Sequence, residues 1–244
     1  MQQYIIIGLV FLFFSLIAYH VSGAFINYFW QDAREEAEMF IADKRSSTEY
    51  AKGFNWQCSL IILLTCALFY SLLIQTTNSQ LVIFIKVFMF LYFVFIALID
   101  FRTMILPDML NYIGIWLGLL IACYHLNVFG LTPLNAVTGV VGSYMVCWLI
   151  LHSGLILLKK QVLGHGDAKY LAMLGAWFGF KVSFLTFFMA VFFLSLFQFF
   201  RWLFISTETL FIPFGPSLAT VASIMILYYN DIIAYSNKLL TSIF

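Results

Sequence analysis

The stretch FLYFVFIALID, residues 90–100, is a run of apolar and aromatic side chains that ends in a single carboxylate, Asp100. The run begins near residue 81, so it is long enough for one helical crossing of a bilayer, which needs about 20 such residues. The whole chain shares this character, because 64% of its 244 residues are hydrophobic and only 9% are charged. Soluble domains carry about 25% charged residues. The composition therefore predicts an all-α polytopic membrane protein.

Hydropathy predicts eight transmembrane helices, with seven as the alternative. The sixth segment is short and contains Gly175 and Gly179, which makes it the least secure. The eight segments are 4–29, 59–75, 81–99, 109–126, 133–158, 168–180, 182–205 and 212–234. No basic residue precedes the first, and Phe29 and Trp30 stand where a signal peptidase needs small residues. We therefore expect the first segment to be retained as a membrane helix.

Basic residues predict the orientation, because Lys and Arg are enriched in cytoplasmic loops. Loops two and four, 76–80 and 127–132, contain neither. The bases in or beside the first, third and fifth loops are Arg34, Lys44, Arg45, Lys52, Arg102, Lys159, Lys160 and Lys169. Arg201 agrees with this pattern, whereas Lys181 and Lys238 oppose it. The odd-numbered loops are predicted to face the cytoplasm, with the N-terminus outside.

The predicted organisation has three parts: a first transmembrane helix, 1–30, a short charged cytoplasmic loop, 31–57, and a membrane-embedded domain, 58–244. Six of the eleven acidic residues lie in the loop, as expected of a solvated connector. The four cysteines, at positions 58, 66, 123 and 147, form no CxxC pair. Neither a zinc site nor a disulfide framework is predicted.

Outside the loop only five acidic residues remain, and a carboxylate at membrane depth is costly enough to suggest a function. They are Asp100, Asp108, Asp167, Glu208 and Asp231. Asp108 follows Pro107 and fits the beginning of a helix, where the helix dipole favours an anion. Asp100 ends its helix, where the dipole disfavours one. An ion pair with Arg102 is the simple structural explanation of Asp100.

Asp167 lies in VLGHGDAKYLAMLGAWFG, residues 162–179, where Gly164 and Gly166 permit an unusual backbone and a close approach. Its simple structural explanation is a helix cap. Because loops three and five are predicted on one side, Asp100 and Asp167 can meet. Two close carboxylates share a proton, so one can act as general base on water and the other as general acid. This indicates aspartic proteolysis, with a proton relay in a transporter as the alternative.

Four stretches together resemble the type IV prepilin peptidases, which are membrane aspartic proteases of the GxGD class. IDFRTMILPDMLN, 99–111, is similar to the first aspartate motif of the family, an Asp followed by LPD. GHGDAKYLAMLGAWFG, 164–179, matches its G-x-G-D-x-K segment, and IPFGPSLA, 212–219, its PFGP motif. GAFIN, 23–27, resembles a motif after the first span.

The resemblance implies a role for each matching residue. Asp100 and Asp167 would be the catalytic pair, and Asp108 of the LPD a supporting acid. Lys169 would tune the nearby carboxylate or fix the loop, and Gly164 and Gly166 would let the substrate backbone approach. Pro107, Pro213, Gly215 and Pro216 would shape the ends of helices. His165 is expected to be structural.

The resemblance also predicts cofactors and partners. Bifunctional members carry a zinc-binding domain with two CxxC pairs and methylate the new N-terminus from S-adenosylmethionine. Loop 31–57 contains no cysteine and is short, so we expect no zinc and no support for methylation. The expected partners are membrane lipid and prepilins or pseudopilins of secretion systems with a basic leader, and no nucleic acid. Another GxGD intramembrane protease and a proton-coupled transporter remain as alternatives.

Overall fold

Helices form nearly all of the chain that the structure, a computed structural model, describes, and no strand occurs in that part. The described residues are 56–76, 79–103, 106–124, 128–159, 163–205 and 213–243. The helices are α1 Trp56–Thr76, α2 Gln80–Thr103, α3 Asp108–Cys123, α4 Pro133–Leu158, α5 His165–Ile205 and α6 Gly215–Ile243. The predicted first transmembrane helix, GAFIN and the charged loop up to residue 55 lie outside the described residues.

Four of these helices are long and apolar enough to cross a membrane: Gln80–Phe101, Pro133–Leu157, His165–Phe204 and Gly215–Tyr235. Two shorter apolar helical stretches, Thr65–Gln75 and Asp108–Cys123, accompany them. The predicted all-α polytopic membrane fold is therefore confirmed. The total of eight spans and the outside N-terminus stay predictions.

The chain divides into two compact units, 1–104 and 105–244. Of the described helices, α1 and α2 belong to the first unit. Phe69 of α1 stacks on Phe90 of α2 with ring centroids 3.9 Å apart. Leu73 and Phe93 are also buried. Helices α3 to α6 form the second unit, with α5 in contact with the other three.

Helix α3 packs against α5 through small residues on one face. A Cβ added to Gly118 would lie 2.8 Å from the Cβ of Ala176, so only glycine permits this separation. One turn earlier, the indole Nε1 of Trp177 donates a hydrogen bond of 2.9 Å to the carbonyl oxygen of Gly114. The LGAWFG sequence thus supplies both a packing surface and a polar tie between the helices.

Helices α4 and α5 approach even more closely. A Cβ on either Gly139 or Gly175 would lie 2.2 Å from the carbonyl oxygen of the other residue. Small residues at such a crossing let two membrane helices come into backbone contact and gain dispersion energy that lipid cannot replace. The crossing defines the position of the first half of α5.

Gly179 breaks α5 into two helical segments, since its φ of 76° and ψ of 170° are not helical. The hydroxyl oxygen of Ser143 lies 2.6 Å from that of Ser183, and a Cβ on Gly175 would lie 2.8 Å from the same Ser143 oxygen. Eight residues of straight helix would separate positions 175 and 183 by about 12 Å. The chain therefore turns back sharply at Gly179. The break lies where the sequence divides the predicted spans 168–180 and 182–205.

Replacing Gly139 by alanine is expected to destabilise the second unit. The new methyl group would meet a backbone carbonyl that cannot move unless the helices separate, and such overpacking costs about 1–3 kcal/mol. Thermal unfolding in detergent should give a lower Tm for Gly139→Ala. The matched control is Val137→Ala, which changes an exposed side chain on the same helix. Equal Tm values for the two variants would contradict the close crossing.

Candidate active site

Asp100 lies in the last turn of α2 and is buried, with 5% of its surface exposed. A carboxylate in this position opposes the helix dipole and is removed from water. Both effects raise the free energy of the ionised carboxylate. A purely structural role does not explain this cost. The side chain of Arg102, its proposed partner in the simple explanation, lies outside the described residues.

Asp167 lies in the first turn of α5, in the second unit, and is half-buried. Its Oδ2 accepts a hydrogen bond of 3.0 Å from the backbone N–H of Gly164. This is the bond by which an acid in the first turn satisfies a backbone N–H ahead of the helix. Because α5 begins at His165, Asp167 is not the N-cap predicted as the simple explanation. It lies inside the first turn, and its bond to Gly164 fixes the direction of the carboxylate.

The two glycines beside Asp167 have close neighbours within the chain itself. A Cβ on Gly164 would lie 2.9 Å from the Oδ2 of Asp167, so the loop closes tightly over the carboxylate. A Cβ on Gly166 would lie 2.9 Å from the Cβ of Leu106. The residue that approaches Gly166 is thus the leucine of the LPD sequence, and the two predicted motifs are in direct contact.

An ion pair forms a second link between these motifs. The Nζ of Lys169 binds the Oδ2 of Asp108. The same ammonium lies 5.6 Å from the centroid of the Tyr112 ring, within range of a cation–π interaction. Pro107, in an extended conformation, is the N-cap of α3, and Asp108 begins the helix as predicted. The predicted supporting residues Asp108 and Lys169 therefore act as a pair.

The PFGP motif forms the beginning of α6. The carbonyl oxygen of Phe214 accepts hydrogen bonds from the backbone N–H groups of Ser217 and Leu218, at 3.1 and 3.2 Å. Pro213 precedes the helix, and Gly215 and Pro216 are its first two residues. These residues thus lie at the beginning of a helix, and their predicted role in a helix break near the catalytic site stays a prediction. Phe214 also packs edge-on against Phe187 of α5.

Three buried polar or ionisable residues were not predicted as site residues from the sequence. Lys86, within the long apolar run of α2, is buried with 6% of its surface exposed. Cys147 of α4 is fully buried and lies within electrostatic reach of Asp167. Asn111 of α3 is fully buried, and its amide has no hydrogen-bond partner among the described residues. A lone lysine inside an apolar span was a usable signal, whereas the burial of Asn111 and Cys147 depends on helix packing.

The described residues contain no group of three His, Cys, Asp or Glu side chains that could hold a metal ion. Within the second unit, the structure brings together Leu106, Asp108, Gly166, Asp167 and Lys169. Asp100 belongs to the first unit. A half-buried carboxylate in a fixed direction, as at Asp167, is suited to exchange a proton with water.

The region around these residues is similar to a known protein family. Residues 87–199 match the model of the type IV leader peptidase family. The match includes Asp100, Asp108, Asp167 and Lys169. It confirms the resemblance predicted from the motifs.

Curated relatives carry the name prepilin leader peptidase/N-methyltransferase. One from Pseudomonas putida is 34% identical over 149 residues, which is 59% of this chain and 50% of the relative. One from Escherichia coli K12 is 41% identical over 97 residues, 38% of this chain and 41% of the relative. One from Pseudomonas aeruginosa is 29% identical over 181 residues, 74% of this chain and 53% of the relative. The chain thus spans about half or less of these relatives, and no solved structure matches it.

Replacing Asn111 by leucine, which is similar in size, is expected to stabilise the protein. A buried amide without a partner costs about 1–3 kcal/mol, and leucine removes that cost. Thermal unfolding in detergent should give a higher Tm for Asn111→Leu and an unchanged Tm for Asn230→Leu, which alters an exposed amide on α6. A lower Tm for Asn111→Leu would show that the amide is hydrogen-bonded in the membrane protein.

Proposed function

We propose that this chain, whose residues 87–199 match the type IV leader peptidase family, is a membrane aspartic endopeptidase. Its substrates are type IV prepilins or the related pseudopilins of type II secretion. It removes their basic leader peptide. The activity and substrates of the curated relatives, as their name states them, support this proposal.

One observation carries the proposal: a single family match includes both candidate aspartates, which occupy different environments. Asp100 is buried at the unfavourable end of a helix dipole, whereas Asp167 is half-buried at the favourable end and accepts a backbone hydrogen bond. Such a difference suits a general acid and a general base.

The proposed mechanism uses one proton on the pair. The ionised carboxylate takes a proton from a water molecule as the water oxygen attacks the scissile carbonyl carbon. The protonated carboxyl gives its proton to the carbonyl oxygen, which produces a neutral tetrahedral diol. When the diol collapses, one of its hydroxyl groups returns a proton to the ionised carboxylate, the C–N bond breaks, and the leaving amine takes up a proton from the protonated carboxyl. The products are a carboxylate on the leader and a new N-terminal amine.

The proposed location is the bacterial inner membrane, with the active site facing the cytoplasm. The distribution of basic residues supports this orientation. In this arrangement a basic leader would remain in the cytoplasm while the apolar segment of the prepilin enters the membrane. The acidic residues of loop 31–57 would attract the leader electrostatically.

Hydrolysis by two aspartates needs no cofactor, and the proposed peptidase uses none. The names of the relatives also include N-methyltransferase. S-adenosylmethionine would be a cofactor only if this chain had that second activity. We propose no zinc, because loop 31–57 lacks the cysteines that a CxxC site requires.

Removing either catalytic carboxylate is expected to abolish cleavage. Purified wild type in liposomes should shorten a prepilin on a gel, whereas Asp100→Asn and Asp167→Asn should lose about 100-fold or more of the rate, since each removes one proton-transfer group. Asp108→Asn should keep most of the activity, because its amide oxygen can still accept a hydrogen bond from Lys169. Asp231→Asn, on an exposed position of α6, is the control.

The same assay distinguishes the alternatives. If Asp108→Asn is inactive and Asp100→Asn active, the first-motif acid has been assigned incorrectly. Cleavage of a substrate without a basic leader would favour a different GxGD protease. A wild type that cuts no prepilin, and whose Asp167→Asn variant loses proton uptake in liposomes, would favour a transporter.

Labelling a single cysteine is expected to reveal the side of the membrane on which α5 begins. His165 is exposed in the first turn beside Asp167. In a cysteine-free background, His165→Cys should react with a membrane-impermeant maleimide in inside-out vesicles and not in intact cells. Labelling in intact cells would place the site on the opposite face.

A further inference from the structure

We propose that Lys169 and Asp108 form a clamp that positions Asp167 for cleavage. The clamp consists of their ion pair and the Lys169–Tyr112 cation–π contact. Both residues are positioning residues and neither takes part in proton transfer. The effect on cleavage rests on the proposed function, whereas the effect on the local structure does not.

The clamp connects the beginnings of two helices. Asp108 is the first residue of α3 and Tyr112 lies one turn later, while Lys169 lies in the second turn of α5. The contact between Leu106 and Gly166 joins the segments that precede these turns. The N-terminal turns of α3 and α5 are therefore held together by an ionic, an aromatic and an apolar contact.

Helical geometry explains how Lys169 affects Asp167 without binding it. Residues two apart on a helix point about 200° away from each other. Lys169 is directed to Asp108 and Tyr112 of α3, and the carboxylate of Asp167 turns back to the N–H of Gly164. Fixing the lysine therefore fixes the rotation of the first turns of α5 about their axis. That rotation sets the direction of the carboxylate.

The clamp contributes more to geometry than to global stability. Asp108 has 55% of its side chain exposed and Lys169 has 21%, and ion pairs in contact with water add little to the free energy of unfolding. A catalytic group, by contrast, loses rate steeply when it moves by a fraction of an ångström to an ångström. The clamp is therefore expected to affect the rate of cleavage more than the free energy of unfolding.

A direct electrostatic effect of Lys169 on Asp167 is the competing explanation. It requires the charge of Lys169 but not its partner Asp108, so mutations of the two residues would have independent effects. A clamp requires both residues. Once one of them has been replaced, replacing the other should therefore lower kcat no further. The two explanations also differ in pH dependence, because only a direct charge effect shifts the protonation of the dyad.

The decisive experiment is a double-mutant cycle on prepilin cleavage in liposomes. Lys169→Met and Asp108→Ala should each lower kcat by about 10-fold to 100-fold, with a smaller change in KM. The double variant should be no slower than the slower single variant. Lys169→Arg should recover much of the rate. The control is Lys181→Met, which removes an exposed lysine further along α5.

The pH profile and hydrogen exchange complete the test. The profile of kcat should keep its shape in Lys169→Met, and amide exchange in residues 163–170 should become faster while exchange in α4 stays unchanged. Unchanged exchange and a wild-type kcat in Lys169→Met would overturn the clamp. Additive losses in the cycle, or a shifted pH profile, would also overturn it in favour of the direct charge effect.

The two proposals can fail separately. If purified wild type cuts no prepilin, the proposed function fails, and hydrogen exchange still shows whether Lys169 and Asp108 order the turn that carries Asp167. If wild type cuts and both single variants match it in rate and in exchange, the clamp fails while the peptidase stands.

Discussion

The backbone contact between Gly139 and Gly175 is the constraint on which the second unit depends. It allows α4 and the first half of α5 to touch without intervening side chains, and Gly179 then turns the chain back along α4 so that Ser183 meets Ser143. In a membrane, where lipid competes equally well for apolar side chains, such close packing and buried hydroxyl pairs are what distinguish one helix arrangement from another. The turn that carries Asp167 is the N-terminal end of this tightly packed segment.

One apolar and two polar contacts hold this N-terminal end in place. Leu106 fills the space above Gly166, Asp108 binds Lys169, and Gly164 donates its N–H to Asp167. The two motifs are about 60 residues apart in sequence, yet each supplies the other with a contact that only its own residue types permit. Position 166 needs a glycine because Leu106 packs against it, and Asp108 supplies the carboxylate that binds Lys169. The motifs are therefore two halves of one local structure.

The sequence was sufficient to predict the membrane helices, because apolar length is a local property that packing does not change. It also predicted a break between residues 180 and 182, close to the observed one at Gly179. The sequence could not predict that Gly175 packs against another helix whereas Gly179 breaks its own helix, since glycine occurs in both situations. The partners of Lys169 and the burial of Asn111 were equally hidden, because both depend on which faces of α3 and α5 meet.

Asp100 and Asp108 have different environments, although both acids belong to one motif. They are eight residues apart, but Asp108 begins a helix, is exposed to water and is neutralised by Lys169. The helix position and the contact with Lys169 give Asp108 a structural explanation that requires no part in a reaction. Asp100 is buried and lies at the end of a helix where an anion is disfavoured. A buried carboxyl group at that end of a helix is costly for the fold, which is why we propose Asp100, rather than Asp108, as the partner of Asp167 in the reaction.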